Sequence, residues 1–148
     1  HVEVTAAIDI SDGFSLDLDR LCAASRVGVE LDLDRLPISP AATARSEQTG
    51  RSAHQHAWSD GEDFELIFTC SPGDADRLED LARQRGMSGN GPGDAAAVTR
   101  VGTIVSRTGL WKKLPEGKFE RVFPQGYVHG ELPAGSLREA DSHQESQR

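Results

Sequence analysis

The stretch AAIDISDGF, residues 6–14, places small and apolar residues directly before two aspartates, a serine and a glycine. Residues 2–10 predict a strand that becomes apolar toward its end, interrupted only by Asp9. The SDG that follows, residues 11–13, has the composition of a helix start. The segment therefore predicts a junction between a strand and a helix, with acidic side chains at the junction.

A helix is predicted after this junction, because apolar and small residues recur on one stripe of a 3.6-residue period. The stripe consists of Phe14, Leu18, Leu21, Cys22 and Ser25. Asp12 lies at or just before the first turn, where the helix dipole favours a negative charge.

The rest of the chain mixes strands and helices without a strict alternation. A strand is predicted in VGVELDLDRLP, with Val29, Leu31 and Leu33 on one face, and a weak helical stretch over 41–57. A second strand is predicted over 64–70, with Phe64, Leu66, Phe68 and Cys70 on one face. A helix from Ser71 and a strand over 97–105 are predicted after it. Hairpin turns are predicted at 107–109 and 115–117. This order favours an α+β fold, a mixed β-sheet with helices packed on a face.

Composition restricts the classes of partner. The 148 residues carry a formal net charge of −8 and no basic cluster, which argues against nucleic-acid binding. No apolar run reaches transmembrane length, so no membrane contact is expected. Two cysteines outside any CxxC pattern are expected to be buried thiols, as in a cytoplasmic protein.

The expected organisation is one domain over residues 1–130 and a tail over 131–148. The tail has almost no apolar content and is expected to be disordered. The chain enters a strand almost directly after His1, so we expect it to be a piece of a longer protein.

Asp9 and Asp12 have two interpretations. Carboxylates at one junction can converge on Mg²⁺, which prefers hard oxygen ligands, while Ser11 and nearby backbone N–H groups can meet a phosphate. Alternatively, Asp12 only caps the helix and Asp9 only ends the strand. Spacing alone favours the second interpretation.

A second acidic segment, DGEDFEL, spans residues 60–66. Its four carboxylates either form a solvated turn or recognise a positively charged group. Trp58 and Tyr127 are the aromatic residues placed near such turns, although core packing is the commoner role of an aromatic side chain.

Taken together, AIDISDGF, GVELDLDRLP, DGEDFELIFTC and the later GY resemble the C-terminal half of thiamine-monophosphate kinase, from the superfamily of aminoimidazole-ribonucleotide synthetase. That family typically reads IDISDGL, a strand ending in LP, GGEDYEL and a terminal GY. The resemblance covers residues 6–127, except the loop over 88–94.

The resemblance implies phosphorylation of thiamine monophosphate to thiamine diphosphate, with ATP as co-substrate and Mg²⁺ as cofactor. It implies that Asp9 and Asp12 bind magnesium and that Ser11 contacts ATP. Glu62 and Tyr127 would contact the substrate, and no residue of this chain is expected to act as a nucleophile. The family also implies a homodimer, formed through an N-terminal half that supplies most of the magnesium-binding aspartates and much of the ATP site.

Asp60 departs from the family pattern, where a glycine occupies this position. Two alternatives stay open: another ATP-dependent synthetase of the superfamily, making an aminoimidazole, a selenophosphate or a hydrogenase-maturation product, or a non-catalytic module that binds a nucleotide or a partner. Without the N-terminal half, the isolated chain is expected to be inactive.

Overall fold

The computed structural model describes residues 1–62, 65–84 and 98–127. The strands are β1 (Val4–Asp9), β2 (Gly28–Leu31), β3 (Leu66–Cys70), β4 (Gly102–Val105), β5 (Gly109–Lys113) and β6 (Phe119–Val122), and the helices are α1 (Phe14–Ser25), α2 (Pro40–Thr49), α3 (Ala53–Ser59) and α4 (Pro72–Gln84), with a 3₁₀ turn at Leu33–Arg35. These elements confirm the α+β class. The predicted loop over 88–94, the tail after 130 and Phe64 lie outside the described residues.

The described strands form two sheets rather than one. β1 pairs with β3 in an antiparallel ribbon, and the second sheet has the order β4-β2-β5-β6. In that sheet β2 runs antiparallel to β4 and parallel to β5. The sheet is therefore mixed, as the sequence predicted.

The predicted hairpin at 107–109 is wrong, because β2 lies between β4 and β5. Gly28, at the start of β2, permits this insertion: a Cβ atom there would lie 2.1 Å from the carbonyl oxygen of Arg107. The predicted turn at 115–117 is confirmed. It joins the antiparallel strands β5 and β6, and Gly117 adopts a φ of 76°.

The core lies between α1 and the four-stranded sheet. Phe14, Leu18 and Cys22 of α1 are buried, as the stripe predicted, and they cluster with Leu31 and Leu110. Of the other predicted members of the stripe, Leu21 is half-buried and Ser25, at the end of the helix, is exposed. Burial, reinforced by Asp19, raises the pKa of the Cys22 thiol to about 11, so this thiol is unreactive at neutral pH. The second cysteine, Cys70, is only half-buried.

The predicted face of β3 is wrong. Leu66 is 69% exposed, whereas Ile67 is 8% exposed and lies in the core. The register explains the difference, because Ile67 pairs with Ile8 of β1, which also packs against the core. β2 is also shorter than predicted, since the chain enters the 3₁₀ turn after Asp32.

The predicted helical stretch over 41–57 is two helices. α2 ends at Gly50, which caps it with a φ of 72°. α3 begins with a capping box, in which Ser52 and Gln55 satisfy each other's backbone N–H groups. The end of α3 lies beside the start of α1, since a Cβ atom at Gly13 would lie 2.6 Å from the carbonyl oxygen of Ser59. None of the described helices combines the length and hydropathy needed to cross a membrane.

Candidate functional site

Three segments meet at the loop that follows β1: residues 10–13, 60–62 and 125–127. The backbone N–H of Glu62 donates to the carbonyl oxygen of Ser11 at 3.0 Å, and that of Tyr127 donates to the carbonyl oxygen of Asp12 at 2.8 Å. Four residues singled out in the sequence thus lie on segments joined by direct hydrogen bonds. This convergence could not be read from their separation along the chain.

Two glycines allow the segments to approach so closely. A Cβ atom at Gly61 would lie 2.3 Å from the carbonyl oxygen of Ser11, and one at Gly126 would lie 2.3 Å from that of Asp12. Both distances are far below any normal contact. The glycines of DGED and of QGY therefore act in packing, since only a residue without a side chain fits there.

Asp17 organises the loop, and the sequence analysis missed it. Its side chain is fully buried, and its Oδ2 accepts the backbone N–H groups of Ser11 at 3.0 Å and Asp12 at 2.9 Å. The available signal was an aspartate in the first turn of α1, between the buried Phe14 and Leu18. A charged side chain among apolar neighbours is seldom buried without partners.

Arg20 joins the two carboxylates at this junction. Its Nη1 donates to Oδ2 of Asp12 at 2.5 Å and to Oδ1 of Asp17 at 2.7 Å. The hydrogen bond with Asp12, then that with Asp17, raises the pKa of the Arg20 guanidinium, which stays protonated. Arg20 therefore fixes the position of the Asp12 carboxylate, which is itself mostly buried.

The other candidate side chains lie at the surface. Asp9 is exposed at the end of β1, opposite Leu66. Ser11 and Glu62 are also exposed, and Glu62 adopts a φ of 65°, which turns the chain at this point. The junction therefore presents a hydroxyl and carboxylates toward solvent from a rigidly bonded backbone.

The donor set can be compared with what Mg²⁺ requires. Across residues 1–62, 65–84 and 98–127, no three acidic, histidine or cysteine side chains are grouped so that they could hold a metal ion. Mg²⁺ is usually bound by one or two carboxylates together with phosphate oxygens and water. The two carboxylates of Asp9 and Asp12 match such a shared site in number and in donor type, and they are too few for a complete protein cage.

A cleft of about 420 Å³ adjoins the junction. It is lined by Arg51, Ser59, Asp60, Gly61, Gln125, Gly126 and Tyr127. Tyr127 is 65% exposed beside it, whereas the ring of Trp58 packs against Phe14 at 6.0 Å between centroids. Of the two aromatic candidates, Tyr127 is the more exposed.

Asp60, the departure from the family pattern, is fully engaged. Its carboxylate contacts Nδ1 of His56 at 2.7 Å, Nη1 of Arg51 at 3.2 Å and Nε of Arg45 at 3.2 Å. Burial alone would raise the pKa of Asp60, but the hydrogen bond from His56 and the nearby positive charges outweigh it and hold the pKa below its usual value. The added carboxylate is thus compensated locally.

Comparison with protein families gives a match over residues 1–110 to the model described as AIR synthase related protein, C-terminal domain. A thiamine-monophosphate kinase of Rhodopirellula baltica is 57% identical over 130 residues, which is 88% of this chain and 38% of that protein. The thiamine-monophosphate kinase of Haemophilus influenzae is 41% identical over 73 residues, 49% of this chain and 22% of that protein. The chain thus spans well under half the length of these relatives.

Solved structures agree. AaThiL complexed with AMPPCP and TMP superposes with a TM-score of 0.60 at 25% identity, covering 85% of this chain and 34% of that one. Thiamine-monophosphate kinase from Stenotrophomonas maltophilia K279a gives 0.54 at 32% identity, covering 74% and 31%. The hydrogenase maturation protein HypE of E. coli gives 0.61 at 19% identity, covering 84% and 36%, a likeness of fold. The resemblance to thiamine-monophosphate kinase is confirmed.

Proposed function

Because the chain belongs to the family of AIR synthase related proteins, as a C-terminal domain, we propose that it supplies the C-terminal half of a thiamine-monophosphate kinase site. The whole protein would use Mg²⁺ and ATP to convert thiamine monophosphate to thiamine diphosphate in the cytoplasm. One observation carries the proposal: the loop holding Ser11 and Asp12 is bonded to the segments holding Glu62 and Tyr127. Phosphate-binding and acceptor-binding residues would then lie side by side.

The chain's first contribution would be to hold the phosphate end. Asp9 and Asp12 would bind Mg²⁺, which when bound neutralises charge on the phosphate oxygens of ATP. Arg20 holds the Asp12 carboxylate in place through Oδ2, so Mg²⁺ would share this carboxylate with the guanidinium. The exposed hydroxyl of Ser11, beside Asp12, would donate a hydrogen bond to an ATP phosphate.

The second contribution would be to orient the acceptor. Thiamine carries a cationic thiazolium ring, which a carboxylate and an aromatic face both attract. Glu62 and the exposed ring of Tyr127 offer these two groups next to the loop after β1. A phosphate oxygen of the acceptor would then attack the γ-phosphorus of ATP in line, while the bond from that phosphorus to the bridging oxygen breaks and ADP leaves, without a covalent enzyme intermediate.

The remaining ligands would come from outside this chain, because the two carboxylates proposed here, both among the described residues, do not complete a phosphoryl-transfer site. The relative from Rhodopirellula baltica, of which this chain spans 38%, supports that view. An N-terminal half that supplies further ligands and forms a homodimer is part of the proposal.

A synthetase for another acceptor is the second candidate, since HypE shares the fold at a TM-score of 0.61. The relatives described above favour the thiamine enzyme, because both carry that name.

The test is turnover of the full-length protein with Mg-ATP and a panel of acceptors: thiamine monophosphate, unphosphorylated thiamine, aminoimidazole precursors and selenide. We expect thiamine diphosphate as the product and turnover only with thiamine monophosphate. Glu62→Gln should raise KM for thiamine monophosphate about tenfold while KM for ATP stays unchanged, because a charge-assisted contact to the acceptor is lost. Turnover with a different acceptor, or no turnover in a folded protein that binds ATP, would contradict the proposal.

A further inference from the structure

We propose that Arg51 is a specificity-determining residue that binds the phosphate group of the acceptor; this inference rests on the proposed function. Arg51 lines the cleft beside Tyr127, the residue that would contact the acceptor ring. The family resemblance assigned no role to this position. The assignment comes from the location of the guanidinium and from how it is held.

The Arg51 side chain is anchored by its own neighbours. Nη1 contacts Oδ1 of Asp60 at 3.2 Å, and Nη2 donates to Oγ of Ser59 at 2.5 Å and to the carbonyl oxygen of Gln55 at 3.2 Å. These bonds orient the guanidinium, while its side chain remains 43% exposed. A pre-positioned and accessible guanidinium is well suited to binding phosphate oxygens.

The charge of Arg51 also favours an anion. Among the described residues that line the cleft, Arg51 carries the positive charge. A guanidinium in the wall of a ligand cleft favours binding of an anionic group there.

Thiamine monophosphate matches both halves of the cleft region. It carries a cationic ring and an anionic phosphate. Tyr127 and Arg51 line the cleft and would contact the ring and the phosphate, and Glu62 directly follows Gly61, which also lines the cleft. The phosphate of ATP is another anion that Arg51 could bind. We assign Arg51 to the acceptor because Tyr127 lines the same cleft, whereas Ser11 and Asp12 lie on the loop proposed for ATP.

The experiment compares Arg51→Ala, Arg51→Lys and Arg45→Ala in the full-length protein. Arg45 is the matched control, because it contacts the same carboxylate at the same distance of 3.2 Å and does not line the cleft. Titration calorimetry would measure binding of thiamine monophosphate and of unphosphorylated thiamine, and steady-state assays would give KM for thiamine monophosphate and ATP. Thermal unfolding would check each variant.

Arg51→Ala should weaken thiamine monophosphate binding about 10- to 100-fold, the loss typical of a charge-assisted hydrogen bond. Thiamine binding and KM for ATP should stay unchanged. Arg51→Lys should lose less, because it keeps the charge without the planar fork, and Arg45→Ala should match the unaltered protein.

The inference is overturned if Arg51→Ala leaves thiamine monophosphate binding unchanged, weakens thiamine binding equally, or raises KM for ATP instead. In each of these cases the proposed function is still supported if the wild-type protein phosphorylates thiamine monophosphate. A wild-type protein that neither binds nor phosphorylates thiamine monophosphate would overturn the proposed function and this inference together.

Discussion

Asp17 illustrates how one buried residue can set the geometry of a loop. Its carboxylate accepts two consecutive backbone N–H groups, from Ser11 and Asp12, and pairs with Arg20. Asp17 does not itself need to contact a ligand in order to set the position of the loop. The position of Asp12, and with it the proposed metal site, depends on an aspartate that reaches no solvent.

Asp17→Asn should therefore lower the free energy of unfolding by about 3 kcal/mol, since it removes one partner of a buried charge pair and disturbs two backbone hydrogen bonds. Urea denaturation would measure the loss. Asp19→Asn, two positions along the same helix, is the control and should change stability by less than about 0.5 kcal/mol. Equal effects of the two substitutions would contradict the role given to Asp17.

Asp60 gives a prediction about acid stability. Its pKa lies below the usual value, despite burial, because His56, Arg51 and Arg45 favour the ionised form. A carboxylate with a lowered folded pKa stabilises the protein above about pH 4 and loses that contribution as the pH falls through the folded pKa. The free-energy difference between wild type and Asp60→Asn should be present at about pH 5 and should shrink toward pH 3.

Denaturation of both proteins at a series of pH values would check this. A difference that stays constant down to pH 3, or grows there, would show that the carboxylate is not stabilised by its positive neighbours.

At the scale of elements, the best predictions concern segments whose pattern is decided locally. α1 follows its apolar stripe, and the turn at 115–117 follows its glycine. The face of β3 was predicted wrongly because Leu66 and Ile67 are equally apolar, and only the pairing of Ile67 with Ile8 decides which one is buried.

The mistaken hairpin at 107–109 has a similar cause. The turn residues at 107–109 indicate a turn correctly. They do not indicate that β2, which is distant in the sequence, lies between β4 and β5. The close packing of Gly28 against the backbone of residues 107–109, which allows that insertion, leaves no signature in the neighbouring sequence.

Gly61 provides a prediction at this scale, because it is where the acidic segment touches the loop after β1. Gly61→Ala should cost about 2 kcal/mol of unfolding free energy, since its Cβ would lie 2.3 Å from the carbonyl oxygen of Ser11. Gly73→Ala is the matched control in α4: its Cβ would have no neighbour within 4 Å, so stability should stay level or rise slightly.

Thermal or urea unfolding of both variants would measure the contrast. A Gly61→Ala protein as stable as Gly73→Ala would mean that the two segments do not press together as the structure shows.

At the scale of the whole molecule, the candidate site draws on residues far apart in the chain. The hydroxyl of Ser15 accepts the N–H of Gln125, 110 residues away, and so anchors the segment that carries Tyr127. The family resemblance was enough to predict the candidate site residues Asp9, Ser11, Asp12, Glu62 and Tyr127 from the sequence. It could not find Asp17, Arg20 or Arg51, because their roles arise only from three-dimensional contacts.

We also predict that the isolated 148-residue chain does not turn over thiamine monophosphate. Its described residues include the two carboxylates proposed to bind Mg²⁺, and the chain spans 38% of the relative from Rhodopirellula baltica. Turnover per mole should be below the detection limit for the isolated chain and measurable for the full-length protein. An isolated chain as active as the full-length protein would show that all required ligands lie within it.

The most direct test of the central claim is the turnover of Asp12→Asn in the full-length protein, measured with thiamine monophosphate and ATP over a series of Mg²⁺ concentrations. Asp34→Asn, an exposed aspartate in the 3₁₀ turn, is the control. We predict that Asp12→Asn lowers kcat about 100-fold or more and shifts the Mg²⁺ dependence to higher concentration, while the control matches wild type. Unchanged turnover with an unchanged Mg²⁺ dependence in a folded Asp12→Asn protein would contradict the account.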